Sequence, residues 1–134
     1  FDGVSARVVD YKTGKVLEDD ENINDVNAEE IAEKIFHPDM KNWPKIALQF
    51  YIYDMLVGSR PEAAGRKICN CIYSTSRLFK EAPVTYPLNQ KFFDAVSDHL
   101  EKLLEEMYDT DVPFRRTEDE KVCTYCDFRM ICGR

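Results

Sequence analysis

An aspartate and a lysine two positions apart, Asp10 and Lys12 in "VVDYKTGK", close an apolar run that begins at Val4. Side chains of an extended strand alternate between faces, so these two project to one side, about 7 Å apart along the chain at ~3.3 Å rise per residue. A carboxylate there can hold a hard divalent cation such as Mg²⁺. An ammonium beside it can orient a water and stabilise charge developing on a phosphate. Together they form half of a metal-dependent phosphodiesterase. Tyr11 points to the other side, into packing, while its backbone carbonyl faces the site as a further oxygen ligand. The bland alternative is a surface ion pair at a strand end, because Asp-x-Lys arises often by chance.

Two further groups carry chemistry. "QFYIY" places Gln49 and Tyr53 four residues apart, on one face of a helix. Tyr53 can be plain core; Gln49, in a helix apolar nearly all round, needs a hydrogen-bond partner. "CTYCDFRMIC" spaces Cys123, Cys126 and Cys132 as C-x2-C-x5-C. With Cys69 and Cys71 the chain has five cysteines. An odd number without a secretion signal favours reduced thiols or metal ligands over disulfides. Cys69 and Cys71, two apart in a strand, read as small buried hydrophobes.

The elements that position these groups follow from periodicity. Val4 to Lys12 alternates as a strand, with Val4, Ala6, Val8, Asp10 and Lys12 on one face and Ser5, Arg7, Val9 and Tyr11 on the other. Asp2-Gly3 before it is a hairpin-turn signal that implies an earlier strand. Residues 14–26 read as an acidic loop. A helix then starts at Asn27, with Glu30 completing a capping box, and ends at His37-Pro38. A second helix runs from about Pro44 to Val57; its stripe of Ile46, Phe50, Tyr53 and Val57, widened by Leu48, Ile52 and Leu56, predicts deep burial. "RKICNCIYS" is a strand, and the proline-bearing "RLFKEAPVTYPL" an edge or connection. The longest helix spans about Asn89 to Tyr108, with a predicted buried stripe of Phe92, Val96, Leu100, Leu103 and Met107. His99 flanks that stripe and reads as a satisfied histidine. "TEDE", residues 117–120, is another capping-box pattern.

Composition bounds the rest. A chain of 134 residues predicts one domain, 1–134, able to bury roughly two-thirds of its unfolded surface. Apolar content of 44% and charged content of 32% fit a soluble globular protein. No run approaches the roughly 20 apolar residues that span a bilayer, and the N-terminus has neither a signal-peptide pattern nor a methionine. The expectation is a cytoplasmic protein seen as a processed or excised fragment, without a membrane partner. The net charge of −7 argues mildly against extended phosphate binding. Seven of the 25 acids lie in two runs, 18–21 and 118–120, while Lys12, Lys15, Lys45, Arg60, Arg66 and Lys67 fall in or near the segments expected to frame a site.

At this point the chain resembles a known family. "VVDYKTGK" looks like the second catalytic motif of the PD-(D/E)XK nucleases, in the branch of the RecB, AddB and Cas4 nuclease domains. Gln49 and Tyr53 match the Q-x-x-x-Y motif that lies behind the metal site and helps bind the substrate strand. Cys123, Cys126 and Cys132 match the three-cysteine tail of the iron–sulfur members. The order of the motifs fits, over Val4 to Arg134. The resemblance implies a restriction-endonuclease-like fold, mixed α/β, with a small mixed sheet flanked by the Gln49 helix and the long C-terminal helix and truncated at its N-terminal side. It implies Asp10 as metal ligand, Tyr11 as carbonyl donor, Lys12 as catalytic lysine, and Mg²⁺- or Mn²⁺-dependent hydrolysis of DNA, on single strands or duplex ends, in repair or recombination, with a helicase domain or subunit as partner.

Two departures qualify that expectation. The family pattern needs another acidic ligand on the strand before Asp10, and Asp2 alone lies upstream here, so the chain by itself is expected to be inactive although its parent is a nuclease. A [4Fe–4S] cluster needs four thiolates; the family's fourth lies upstream, so the cluster is expected in the parent and absent here. A second copy of the chain is expected to cover the open sheet edge. Two other classes remain: a nuclease-fold scaffold that binds DNA or proteins without chemistry, and a small zinc-binding module.

Overall fold

Two parallel strands in one sheet require a crossover between them, and the chain builds it from two helices. The computed structural model describes residues 3–13, 22–37, 43–75, 83–113, 115–117 and 120–133. The elements are β1 (Ser5–Lys12), α1 (Ala28–Phe36), α2 (Lys45–Gly58), β2 (Lys67–Ser74), β3 (Val84–Thr85) and α3 (Gln90–Tyr108). A short 3₁₀ turn, Pro61–Ala63, leads into β2, and another spans Val122–Tyr125. The sheet order is β1-β2-β3, with β1 parallel and β3 antiparallel to β2. This is a mixed α/β arrangement around a small mixed sheet, as expected, and it is consistent with a restriction-endonuclease-like core. The chain divides into two compact units, Phe1–His99 and Leu100–Arg134.

In the first unit the alternation of β1 is realised. Ala6, Val8, Asp10 and Lys12 are buried or half-buried, whereas Arg7, Val9 and Tyr11 are exposed. The register pairs Asp10 with Ile72 and Lys12 with Ser74. Ile68, Asn70, Ile72 and Ser74 of β2 therefore share the Asp10 face. Tyr11 does point away from that face, but it is not packed inside: it is 65% exposed and its ring meets Tyr73 at 5.5 Å. The register also corrects one expectation. Ser5 pairs with Lys67, so Arg66 and Lys67 lie at the end of the sheet remote from Lys12, about 23 Å along the strands. Lys15 lies outside the described residues.

α1 buries Ala28, Ile31, Ala32 and Ile35, the spacing of one helical face. Glu29 and Glu30 in its first turn and Lys34 in its last suit the helix dipole. The predicted capping box does not form. Asn27 takes the cap position, but its side chain turns back: Oδ1 accepts from the Asn24 amide at 2.8 Å and Nδ2 donates to the Asn22 carbonyl at 3.0 Å. The Asn-rich turn before the helix thus claims the group that would have capped it. At the other end, His37 is extended, as a residue before proline tends to be. The Trp43 indole donates to the Ile35 carbonyl at 2.7 Å, satisfying one of the acceptors a helix end leaves open.

α2 departs from the predicted deep burial. It buries Ala47, Phe50, Tyr51 and Asp54, while Ile52, Met55 and Leu56 are exposed. An apolar circumference blurred the reading, because it hid which stripe was the inner one. The core joins this face to Ile31 and Ile35 of α1, Ile72 of β2, Tyr86, and Phe92 and Val96 of α3. Phe50 stacks on Tyr86 at 5.6 Å, Tyr51 meets Phe93 at 5.3 Å, and the Tyr51 hydroxyl is 2.9 Å from Ser97 Oγ. Asn89 caps α3, its Oδ1 accepting from the Phe92 amide at 2.8 Å. His99 stacks on Phe36 at 5.4 Å, a packed histidine as expected.

The predicted α3 stripe is buried only in its first half. Phe92 and Val96 are fully buried, whereas Leu100, Leu103 and Met107, in the second unit, are exposed. That unit also holds the short turn at Val122–Tyr125, and there Arg116 Nη1 donates to the Cys132 carbonyl at 2.7 Å. The "TEDE" capping pattern falls partly outside the described residues.

Candidate active site

At the C-terminal end of β1 the sheet presents Asp10 and Lys12 to α2, which lies over the same face. Lys12 Nζ pairs with Asp10 Oδ2 at 2.8 Å and donates to Gln49 Oε1 at 2.6 Å. Gln49 Nε2 in turn donates to the Tyr53 hydroxyl at 2.6 Å. Four side chains from two elements thus form one chain of contacts, Asp10–Lys12–Gln49–Tyr53. The two residues of α2 meet because they are one helical turn apart. The two residues of β1 meet because the pleat puts them on one side.

The donors and acceptors fix the roles open to each group. An ammonium has three N–H bonds. Gln49 accepts one and Asp10 lies in charge contact with the same ammonium, which leaves Lys12 donor capacity for a substrate oxygen or a water. Gln49 is used at both ends of its amide, as acceptor from Lys12 and donor to Tyr53, so it acts as a bracket. Tyr53 accepts from Gln49 and keeps its own O–H to give elsewhere. The Asp10 and Lys12 side chains retain 14% and 32% exposure, so the pair is sheltered yet reachable. Asp10 Oδ2 is buried and accepts no hydrogen bond beyond its charge contact with Lys12 among the described residues.

Asp10 suits a hard cation as one carboxylate donor. Among the described residues no three His, Cys, Asp or Glu side chains gather into a group that could hold a metal. That statement covers the C-terminal cysteines too. Cys123 and Cys126 are half-buried, Cys132 is exposed, and all three are free thiols. Cys71 is buried and Cys69 half-buried, also free, as small apolar residues of β2.

One buried polar pair escaped the sequence reading. Asp54 of α2 and Asn70 of β2 are 6% and 3% exposed, and Asn70 Nδ2 donates to Asp54 Oδ2 at 3.0 Å. Burial, offset in part by that hydrogen bond, pushes the Asp54 carboxyl up to about 6. The signal was there: Ala47, Phe50, Tyr51 and Asp54 follow the spacing of one helical face, and Asn70 shares a strand face with Ile68 and Ile72.

The family model of the PD-(D/E)XK nuclease superfamily matches residues 1–133. No curated protein and no solved structure matches the chain. Nucleases of this superfamily generally use divalent metals. No helix among the described residues is long and apolar enough to cross a membrane. Matched from end to end, the chain belongs to the PD-(D/E)XK nuclease superfamily.

Proposed function

We propose that Asp10, Lys12, Gln49 and Tyr53 belong to the cleavage site of a DNA nuclease of the RecB and AddB type, acting in repair or recombination. The observation that carries this reading is the continuous contact from the Asp10 carboxylate through Lys12 to Gln49 and Tyr53. A merely structural ion pair at a strand end would not require a glutamine from another element to engage the lysine as well.

In this reading Asp10, with the Tyr11 carbonyl, would hold Mg²⁺ or Mn²⁺, and the bound ion would lower the pKa of a water and screen charge on the phosphate. One carboxylate and one carbonyl do not complete the ion's coordination, and among the described residues no three His, Cys, Asp or Glu side chains gather to do so. Lys12 gives a further N–H to a phosphate oxygen or to the attacking water. Its charge stabilises most where the transition state gathers negative charge. Gln49 keeps the ammonium from swinging away and, through Tyr53, sets a second donor beside it. The resemblance would make Cys123, Cys126 and Cys132 ligands of a [4Fe–4S] cluster, although the three thiols do not gather into a metal-holding group among the described residues, and a helicase domain or subunit would deliver the DNA strand.

The test is cleavage of labelled single-stranded and duplex DNA by the full-length protein with Mg²⁺, compared with its Lys12→Ala variant. Loss of cleavage in a variant that still folds supports the reading. Equal cleavage removes Lys12 from the mechanism, and DNA binding without cleavage by the wild type points to the scaffold instead.

A further inference from the structure

Two oxygens of the buried pair, Asp54 Oδ1 and Asn70 Oδ1, have no hydrogen-bond partner among the described residues. A buried polar atom left in that state costs about 1–3 kcal/mol. Leucine or valine would pack either position without that cost. The bond between the two side chains must therefore do something that apolar packing does not.

We propose that Asp54 and Asn70 are positioning residues, and that their hydrogen-bonded pair sets the register of α2 on the sheet and so holds Gln49 on Lys12. This rests on the assignment of Lys12 and Gln49 to the cleavage site. The same two layers are tied at two points. One is the Lys12–Gln49 bond at the end of β1, and the other is the Asn70–Asp54 bond at the level of Val8. On the helix the points are five residues apart, about 7.5 Å. On the sheet they are separated by about 13 Å along the strand. A single contact leaves a helix free to slide and roll across a sheet; two directional contacts at separated points remove both motions. Apolar packing under α2 is poor at this, since its outer side is as greasy as its inner one and offers no unique register.

The charged groups on the elements packed against α2 are Asp10 and Lys12 on the near face of β1, Arg7 on its far face, Lys67 at the start of β2, Glu62 in the 3₁₀ turn, Glu29, Glu30, Glu33 and Lys34 on α1, and Lys91, Asp94 and Asp98 on the first part of α3. The Asp54 carboxyl is governed by burial first and by Asn70 second. When it is protonated, its O–H can be given to the open Asn70 oxygen, making the pair reciprocal. An amide at position 54 reproduces that arrangement at every pH, because its Nδ2 can donate where the acid's proton would.

Asp54→Leu and Asp54→Asn in the full-length protein test this, with Lys12→Ala alongside. We expect Asp54→Leu to fold, to lose about tenfold in kcat, the loss of one misplaced hydrogen bond, and to keep KM for DNA within about twofold. Asp54→Asn should restore kcat. In the NMR spectrum of this chain, the Gln49 side-chain amide should move to a solvent-like position in Asp54→Leu and stay in place in Asp54→Asn. Should Asp54→Leu cleave at the wild-type rate while Lys12→Ala is dead, the clamp is wrong and the site stands. Should Lys12→Ala cleave normally, the site assignment itself falls. Should Asp54→Asn lose kcat together with Asp54→Leu, the clamp is likewise overturned.

Discussion

Lys12 Nζ and Gln49 Oε1 are 2.6 Å apart, although 37 residues of chain separate them. A short bond between an ammonium and a neutral amide, one from a strand and one from a helix, makes the lysine's position a property of the tertiary fold. Left to itself, a lysine at a strand end samples many rotamers, and fixing it costs about 2 kcal/mol of side-chain entropy. The fold has met that cost in advance, which is the sense in which the proposed site is preorganised.

Gln49 should therefore matter through Lys12. Gln49→Ala in the full-length protein is expected to lower kcat about 10–100-fold, with a smaller change in KM. Gln49→Glu keeps an acceptor for Lys12 and loses the donor to Tyr53, so it should fall between the two. Single-turnover cleavage rates give the comparison.

Tyr53→Phe removes the acceptor of the Gln49 amide and the O–H that Tyr53 still has to give. Its ring also packs at 6.1 Å against Phe50, and that packing survives. The expected stability loss is about 1 kcal/mol by urea denaturation, with a clear loss of cleavage rate. A large stability loss with unchanged rate would make Tyr53 core alone.

Asp54 predicts a pH dependence of stability. Its carboxyl is raised from 3.8 to about 6 in the folded chain. Between those values the folded state binds more protons than the unfolded one, so stability falls as pH rises. The contribution is fully present below about pH 4 and lost above about pH 6, and amounts to about 3 kcal/mol. Denaturation at pH 4.5 and pH 7.5 should show it, and Asp54→Asn should flatten it.

The halves of α3 should respond differently to truncation. Phe92 is fully buried, and Phe92→Ala should cost about 3–5 kcal/mol. Leu103 is 40% exposed, and Leu103→Ala should stay within about 0.5 kcal/mol. Chemical denaturation of the two variants measures the contrast.

Much of this was legible beforehand for a physical reason. Strand alternation depends on the pleat alone, so the shared face of Asp10 and Lys12 followed from position. Helical spacing brought Gln49 beside Tyr53 in the same way. What sequence could not supply was register between elements. The parallel pairing that sends Arg66 and Lys67 to the far end of the sheet is a tertiary fact. So is the choice of Ala47, Phe50, Tyr51 and Asp54 as the buried face of a helix apolar on every side. Asn27 failed as a capping box because neighbouring asparagines competed for its side chain. Leu100 to Met107 carried a valid periodicity that the fold leaves exposed.

The most direct measurement of the central claim is anomalous diffraction from crystals of the full-length protein soaked with Mn²⁺ and a short DNA strand. The account predicts a manganese peak about 2–2.5 Å from a carboxylate oxygen of Asp10, with a phosphate oxygen in hydrogen-bond reach of Lys12. Manganese bound elsewhere, with Asp10 still paired to Lys12 alone and the phosphate remote from both, would contradict it.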